Sequence, residues 1–144
     1  VSIHWGEEYQ QHRDERQRRV ALALIDAGAD CILGHHPHTL QGIGVYKGRP
    51  ILYSMGNFVF DQKEGERMES AVFEIWWNEG TWKIKATPVW INRERMGPVY
   101  PSQDRAARIA KRLAKLSVEL GAQAEISSSR VYVQIPPKTA AAKP

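Results

Sequence analysis

The chain has 144 residues, 42% of them hydrophobic and 25% charged, with a formal net charge of +4. That is one domain's worth of sequence with enough apolar side chains for a core, and it excludes wholesale disorder. Lys and Arg are spread along the chain rather than gathered with aromatics on one face, so no nucleic-acid partner is expected. No apolar run is long enough to cross a bilayer, no signal-peptide pattern opens the chain, and the single cysteine, Cys31, cannot close an internal disulfide.

Residues 1–4 predict a short strand with no lead-in, as if an element were continued from upstream. The chain is therefore expected to be a piece of a longer protein, with any anchor preceding it. This strand carries His4 to a sheet edge and runs into the loop Trp5-Gly6-Glu7-Glu8-Tyr9. Residues 11–27 predict a helix, because Val20, Ala21, Leu24 and Ile25 fall at helical spacing and Gly28 stands where a C-terminal stop belongs. Arg13, Arg16, Arg18 and Arg19, mixed with Asp14 and Glu15, read as a solvated face with local ion pairs. With the apolar run that follows, strand, helix and strand make a right-handed βαβ unit with parallel strands.

The run Cys31-Ile32-Leu33 then passes through Gly34 into His35-His36-Pro37-His38; four of the chain's five histidines lie here or at His4. Three cationic imidazoles side by side would repel one another, whereas a shared metal ion would hold them neutral. In an extended segment His36 and His38 face one site while Pro37 points elsewhere, and Pro37 biases His36 toward that extended backbone. Gly34 is expected to permit a sharp exit from the strand, at the carboxyl end where α/β sheets gather ligands. The alternative is a polar surface loop that happens to contain histidines. Cys31, inside an apolar strand, reads as a small core residue rather than a nucleophile.

Residues 41–46 and 51–54 predict paired strands about a turn at 47–50. Met55-Gly56-Asn57-Phe58-Val59-Phe60-Asp61 is a polar interruption led by glycine, in which Asn57 can coordinate, contact an anionic substrate or cap a turn. Residues 62–67 read as a charged loop. Residues 71–77 and 81–91 predict a hairpin about Asn78-Glu79-Gly80, with one wet face and with Pro88 marking an edge or a bend. Trp76, Trp77, Trp82 and Trp90 suit packing on the sheet better than a sugar-stacking platform. After a linking loop at 92–101, residues 103–120 predict a helix with Ser102 as N-cap and Gly121 as stop. Its stripe of Ala106, Ile109, Ala110, Leu113, Leu116 and Leu120 is expected to pack on a sheet rather than on a membrane. A last short strand is expected at 130–135 and a disordered tail at 138–144.

Four motifs stand in order: His4-Trp5-Gly6-Glu7-Glu8-Tyr9, Asp26-Ala27-Gly28-Ala29-Asp30, Gly34-His35-His36-Pro37-His38, and Tyr53-Ser54-Met55-Gly56-Asn57-Phe58-Val59-Phe60-Asp61. Over residues 1–61 they resemble the bacterial capsule-synthesis CapA family, associated with poly-γ-glutamate capsules and related to the calcineurin-like metallophosphoesterases. The later hairpin and helix agree with that family only loosely. The resemblance implies an α/β fold, a layered β-sandwich flanked by helices, in which residues 1–137 form the C-terminal part and the N-terminal half is absent. It also implies divalent metal ions (manganese, zinc or iron) at the strand ends.

His4 matches the lone histidine of the family's His-Trp-Gly motif, and His36 and His38 match its paired histidines. All three would be metal ligands and carry the catalytic step. His35 stands where the pattern does not require histidine, which puts it on the substrate side. Glu8 matches the acidic position after His-Trp-Gly and Asn57 the asparagine of Gly-Asn-Phe, for substrate contact or loop anchoring. The Gly-Asp and Asn-His motifs that supply bridging ligands in such proteins are missing. Two cations held about 4 Å apart need charged bridging oxygens, so half a site is expected here, to be completed from upstream.

Three functions follow. One is a metal-dependent hydrolase, phosphoesterase-like or acting on amides, that handles poly-γ-glutamate or a related anionic polymer. Another is a non-catalytic component of a capsule-assembly machine, and the third is an α/β half-domain whose histidines only hydrogen-bond. For the first two the resemblance implies other capsule-synthesis proteins as partners and a place at the cell envelope. Metal content separates the third from the others; turnover separates the first from the second.

Overall fold

The computed structural model describes residues 1–61 and 65–136; the predicted tail at 138–144 and part of the charged loop lie outside them. Short apolar runs build the first sheet: β1 (Ser2–His4), β2 (Ile32–His35), β3 (Ile43–Tyr46) and β4 (Arg49–Leu52), in the order β1-β2-β4-β3. β1, β2 and β4 run parallel, with His4 opposite His35, and β3 returns antiparallel across the predicted turn. The crossover from β1 to β2 is α1 (Glu15–Asp26), as the βαβ reading requires.

α1 starts four residues later than the apolar spacing predicts, and Asp14 is the reason. Its carboxylate accepts from the Gln17 backbone N–H at 2.6 Å, while Gln17 Oε1 accepts from the Asp14 N–H at 2.9 Å. This reciprocal cap satisfies two otherwise orphaned donors and fixes the first turn. The residues just before it stay in the loop, where the Gln41 side-chain amide donates to the carbonyls of Gln10 and His12.

Alternation along the strands splits the core in two. Ile32, Ile51 and Tyr53 pack against Ala21 and Ile25 of α1. Ile43 and Leu52 join a larger cluster on the other side of the sheet. Both faces of the parallel strands are thereby covered. The larger cluster is closed by the second sheet, antiparallel throughout: β5 (Glu69–Asn78), β6 (Thr81–Asn92), β8 (Ala124–Ser127) and β9 (Arg130–Ile135), in the order β5-β6-β9-β8, with β7 (Gly97–Val99) on β6. Glu79 and Gly80 both take positive φ, 47° and 80°, as the tight hairpin turn demands. β7 and β8 fall in stretches without alternation of their own; they are three and four residues long and are defined by the partners they pair with.

Pro88 is not at a sheet edge. Ala86 is the last residue of β6 paired with β9 and Trp90 the first paired with β7, so Pro88 falls where β6 changes partner on that side. A missing ladder N–H is tolerated at such a gap. The tryptophans divide: Trp82 packs against the core and Trp90 lies under the Arg105 guanidinium at 3.9 Å. Trp76 and Trp77 stay 48% and 61% exposed, which corrects the expectation that all four pack on the sheet. Trp76 pairs with Lys83 on the outward face, and Trp77, opposite Trp82 near the hairpin end, lines an open cleft with Asp30 and Arg49.

α2 (Gln103–Glu119) packs on β6, β8 and β9 and reaches β3. Ile109, Ala110, Leu113 and Leu116 are buried there, so the stripe belongs to the core. Among the described residues no helix is long and apolar enough to cross a membrane. Ser102 occupies the N-cap position of α2 but its side chain makes no capping bond. From α2, Arg112 reaches buried Glu69 (Nη2–Oε2 2.6 Å) and Glu66 (Nη1–Oε1 3.0 Å), pinning a 3₁₀ turn at Gly65–Met68 where a plain loop is predicted. Cys31 is half-buried against the core, and burial raises its thiol pKa, which keeps it unreactive.

Gly34 is needed for a reason other than the one its position suggests. It lies within β2 and has no left-handed φ. A Cβ there would stand 2.0 Å from the Tyr53 carbonyl oxygen and 2.6 Å from Trp5 Nε1. The Trp5 indole donates to that same carbonyl at 2.8 Å, so the hydrogen bond passes over the space a side chain would fill. Gly34→Ala should therefore destabilise the chain by about 3 kcal/mol or more, because backbone rather than a flexible side chain must move. Gly28→Ala, which meets nothing within 4 Å but has φ +107°, should cost only about 1–2 kcal/mol. Urea denaturation of the two variants beside the parent checks the ranking; equal losses would contradict it.

Candidate metal centre

The loop after β1 is zipped onto the loop after β2. Trp5 N–H donates to the His35 carbonyl (3.1 Å) and Tyr9 N–H to the Pro37 carbonyl (2.8 Å). The Thr39 hydroxyl and the Gln41 amide both donate to the Gln10 carbonyl, at 3.1 and 2.9 Å. Gln17, buried behind this seam, donates to Gln41 Oε1 at 3.0 Å. Two loops that neither strand alone would fix are thus held as one surface, and Glu8 comes to stand beside His36 and His38.

The histidine segment is not extended. His36 and His38 have φ of 99° and 58°, so the reading in which Pro37 holds His36 in an extended conformation is overturned. The rings face one site because the segment coils: the His36 and His38 centroids are 5.9 Å apart. Non-glycine residues in this region cost of order 1–3 kcal/mol each, strain that concentrates at functional sites. The seam of backbone hydrogen bonds through His35 and Pro37 holds them there.

One donor atom each from Glu8, His36 and His38 lies within 4.8 Å of the other two, and Glu8 Oε1 is 3.9 Å from His38 Nε2. Two imidazole nitrogens and one carboxylate oxygen, with room for further ligands, suit a single zinc, manganese or iron ion. Among the described residues this group holds one carboxylate, that of Glu8, and a bridged pair of cations calls for further charged oxygens. Glu8, expected at the substrate side, is instead part of the donor group.

His4 flanks that group: its ring centroid is 4.6 Å from that of His36, but it is outside the three donors that converge. Its pKa is lowered, first by desolvation and then by the imidazoles of His36, His35 and His38. His35, half-buried, has Nε2 3.1 Å from the Ser2 hydroxyl. Asn57 is only 6% exposed and lies beneath His38, with Oδ1 2.7 Å from His38 Nδ1 and Nδ2 3.0 Å from the Arg67 carbonyl. Its amide is turned to the protein rather than to a substrate.

Three neighbours carried no assigned role in the sequence. Phe60 and Tyr9 flank the His38 ring at 4.9 and 6.0 Å, and the Arg67 guanidinium lies 4.9 Å from the Tyr9 ring. Arg16 lines a cleft of about 340 Å³ together with His4, His36, Trp5, Gly6 and Val20. Arg13 and Arg18 do form the expected ion pairs with Glu15, at 3.7 and 3.0 Å. The signal for Arg16 was its place four residues before Val20, on the same helix face.

A family model described as bacterial capsule synthesis protein PGA_cap matches residues 1–62, which hold Glu8, His36, His38 and Asn57. The chain is 42% identical to the PGA biosynthesis protein CapA of Bacillus subtilis (strain 168) over 116 residues, 80% of this chain and 30% of that protein. It is also 42% identical to the capsule biosynthesis protein CapA of Bacillus anthracis over 116 residues, 80% of this chain and 28% of that protein. A probable polyglutamine synthesis accessory protein of Mycobacterium tuberculosis (strain ATCC 25618 / H37Rv) is 41% identical over 61 residues, 42% of this chain and 16% of that protein. The chain thus spans less than a third of the length of these curated relatives.

The lowered pKa of His4 sets a pH dependence. The folded chain favours the neutral ring more than the unfolded chain does, so below the ordinary value of 6.5 the unfolded state takes up the proton first. Metal-free stability should fall as pH drops through that value and level off once the folded state is protonated too. His4→Gln should flatten this part of the profile, read as urea midpoints at about pH 7.5 and pH 5.5 in the presence of a chelator. An unchanged slope would show that another group carries it.

Proposed function

Because the chain belongs to the bacterial capsule synthesis PGA_cap family, we propose that it works in the biosynthesis of a poly-γ-glutamate-type capsule through a divalent metal centre on Glu8, His36 and His38. The observation that carries the metal reading is the convergence of those three donors within 4.8 Å. A divalent ion held there would supply Lewis acidity toward a phosphoryl or carbonyl oxygen and positive charge for an anionic chain.

The remaining roles belong to the side chains around this group. Glu8 contributes the negative charge that two neutral imidazoles lack. Arg16, in the cleft beside His4 and His36, offers a forked donor that suits a substrate carboxylate or phosphate. His4, with its pKa lowered, is the proton carrier at the mouth of the cleft. Phe60 and Tyr9 wall the His38 side against water. The substrate class is an acidic polymer or its activated precursor. The chemistry is phosphoester or amide cleavage or transfer, the setting is the cell envelope, and the partners are other capsule-synthesis proteins.

A second reading, a polymer-holding component without turnover, is favoured by one observation: among the described residues the converging group holds a single carboxylate. On either reading the 144-residue chain should bind at most one zinc or manganese ion, weakly, in a calorimetric titration. His36→Ala and His38→Ala should each weaken binding tenfold or more, and binding should weaken as pH falls, because protons compete with the ion for the same nitrogens. The chain alone should not hydrolyse a generic phosphodiester. Two tightly held ions, or metal-dependent turnover abolished by His36→Ala, would overturn the one-ion centre.

A further inference from the structure

We propose that Asn57 is a positioning residue that locks His38 in the Nδ1–H tautomer and so leaves Nε2 as the one ring nitrogen open to a ligand. The geometry stands without a metal; its use as a ligand lock rests on the metal reading above.

The assignment comes from what surrounds the amide. Asn57 has three polar neighbours: the Arg67 carbonyl oxygen 3.0 Å from Nδ2, the His38 carbonyl oxygen 3.3 Å from Nδ2, and His38 Nδ1 at 2.7 Å from Oδ1. Two of these are carbonyls, which only accept, so the amide end that faces them must be the NH₂. Turning the amide over would bring Oδ1 against two carbonyl oxygens with no proton between, at a residue only 6% exposed. A buried clash of acceptors of that kind costs far more than the hydrogen bonds it replaces. The oxygen is therefore the end presented to His38, and an oxygen can only accept. The proton in that 2.7 Å bond belongs to Nδ1.

In a neutral imidazole with Nδ1 protonated, Nε2 carries the lone pair. Nε2 is the atom 3.9 Å from Glu8 Oε1, within the donor group. The tautomer that two backbone carbonyls dictate is thus the one that aims a lone pair at the candidate ion. The Arg67 carbonyl is itself held in place, since Arg67 lies in the 3₁₀ turn whose Glu66 is paired with Arg112 of α2. One contact sequence therefore runs from α2 through the turn to Asn57 and on to His38. Metal-binding histidines generally give their second ring N–H to such a partner, and removing the partner weakens metal binding about 10–100-fold.

The tautomer can be read directly. In the metal-free, ¹⁵N-histidine-labelled chain at about pH 8, two-bond ¹H–¹⁵N correlations distinguish the protonated from the bare ring nitrogen, and loss of one set in His38→Gln assigns His38. The parent should show Nδ1 protonated and Nε2 bare. Asn57→Leu should shift His38 to a mixture dominated by Nε2–H, the preference of free imidazole side chains. Asn57→Ala removes the acceptor without placing a new oxygen against the two carbonyls and should shift the tautomer in the same direction. Zinc affinity should fall about 10–100-fold in both variants.

His38 found as Nε2–H in the parent overturns the proposal, and so does a folded Asn57→Leu chain that retains Nδ1–H. Should Asn57→Leu fail to fold, the parent spectrum and Asn57→Ala still decide: Nδ1–H in the parent with its loss in Asn57→Ala supports the lock, and Nδ1–H kept in Asn57→Ala contradicts it. A parent with Nδ1–H and no zinc uptake would uphold the lock while overturning the metal reading.

Discussion

A hydrogen bond that passes over a missing side chain holds this structure together. Trp5 Nε1 reaches the Tyr53 carbonyl at 2.8 Å only because Gly34, between them, has no Cβ. That contact ties the exit of β1 to β2 and to the end of β4, three strands whose pairings with one another are only three and two residues long. Strands so short have little register energy of their own, and a one-residue slip would turn His4 to the other face. With the clamp in place His4 lies opposite His35, and the two loops that follow start side by side. The hydrogen bonds from Trp5, Tyr9, Thr39 and Gln41 can then close, and with them the donor group forms.

Much of this is legible in the sequence because the signals are local or periodic. The βαβ unit, the hairpin about residues 78–80 and the α2 stripe each follow from spacing that one stretch carries alone. What is not legible depends on partners distant in the chain. β7 and β8 exist by pairing with β6 and β9. Asp14 rather than the first apolar residue sets the start of α1, because Gln17 completes its cap. Trp76 is exposed because it shares the outward face with Lys83, whereas the exposure of Trp77, opposite Trp82 near the hairpin end, does not follow from alternation within β5.

The site shows the same division. That the His36 and His38 rings lie side by side is read from their spacing, yet the conformation assumed for it is wrong, since both adopt positive φ. Glu8 and Asn57, given the same expected roles of substrate contact or loop anchoring, part company. The exposed carboxylate joins the donors, and the asparagine is buried beneath a histidine where both ends of its amide are engaged. Loop positions of this kind are set by the seam between two loops some thirty residues apart, and neither loop's own sequence encodes the other's place.

The most direct test of the donor group is anomalous diffraction from crystals of the chain soaked with zinc, collected on both sides of the zinc absorption edge. A single anomalous peak within about 2.0–2.3 Å of a Glu8 oxygen, a His36 nitrogen and His38 Nε2 is the predicted result. A peak bound through His4 and His35 with the trio bare, or two peaks within a few ångströms of each other, would contradict the assignment of these three side chains to one ion.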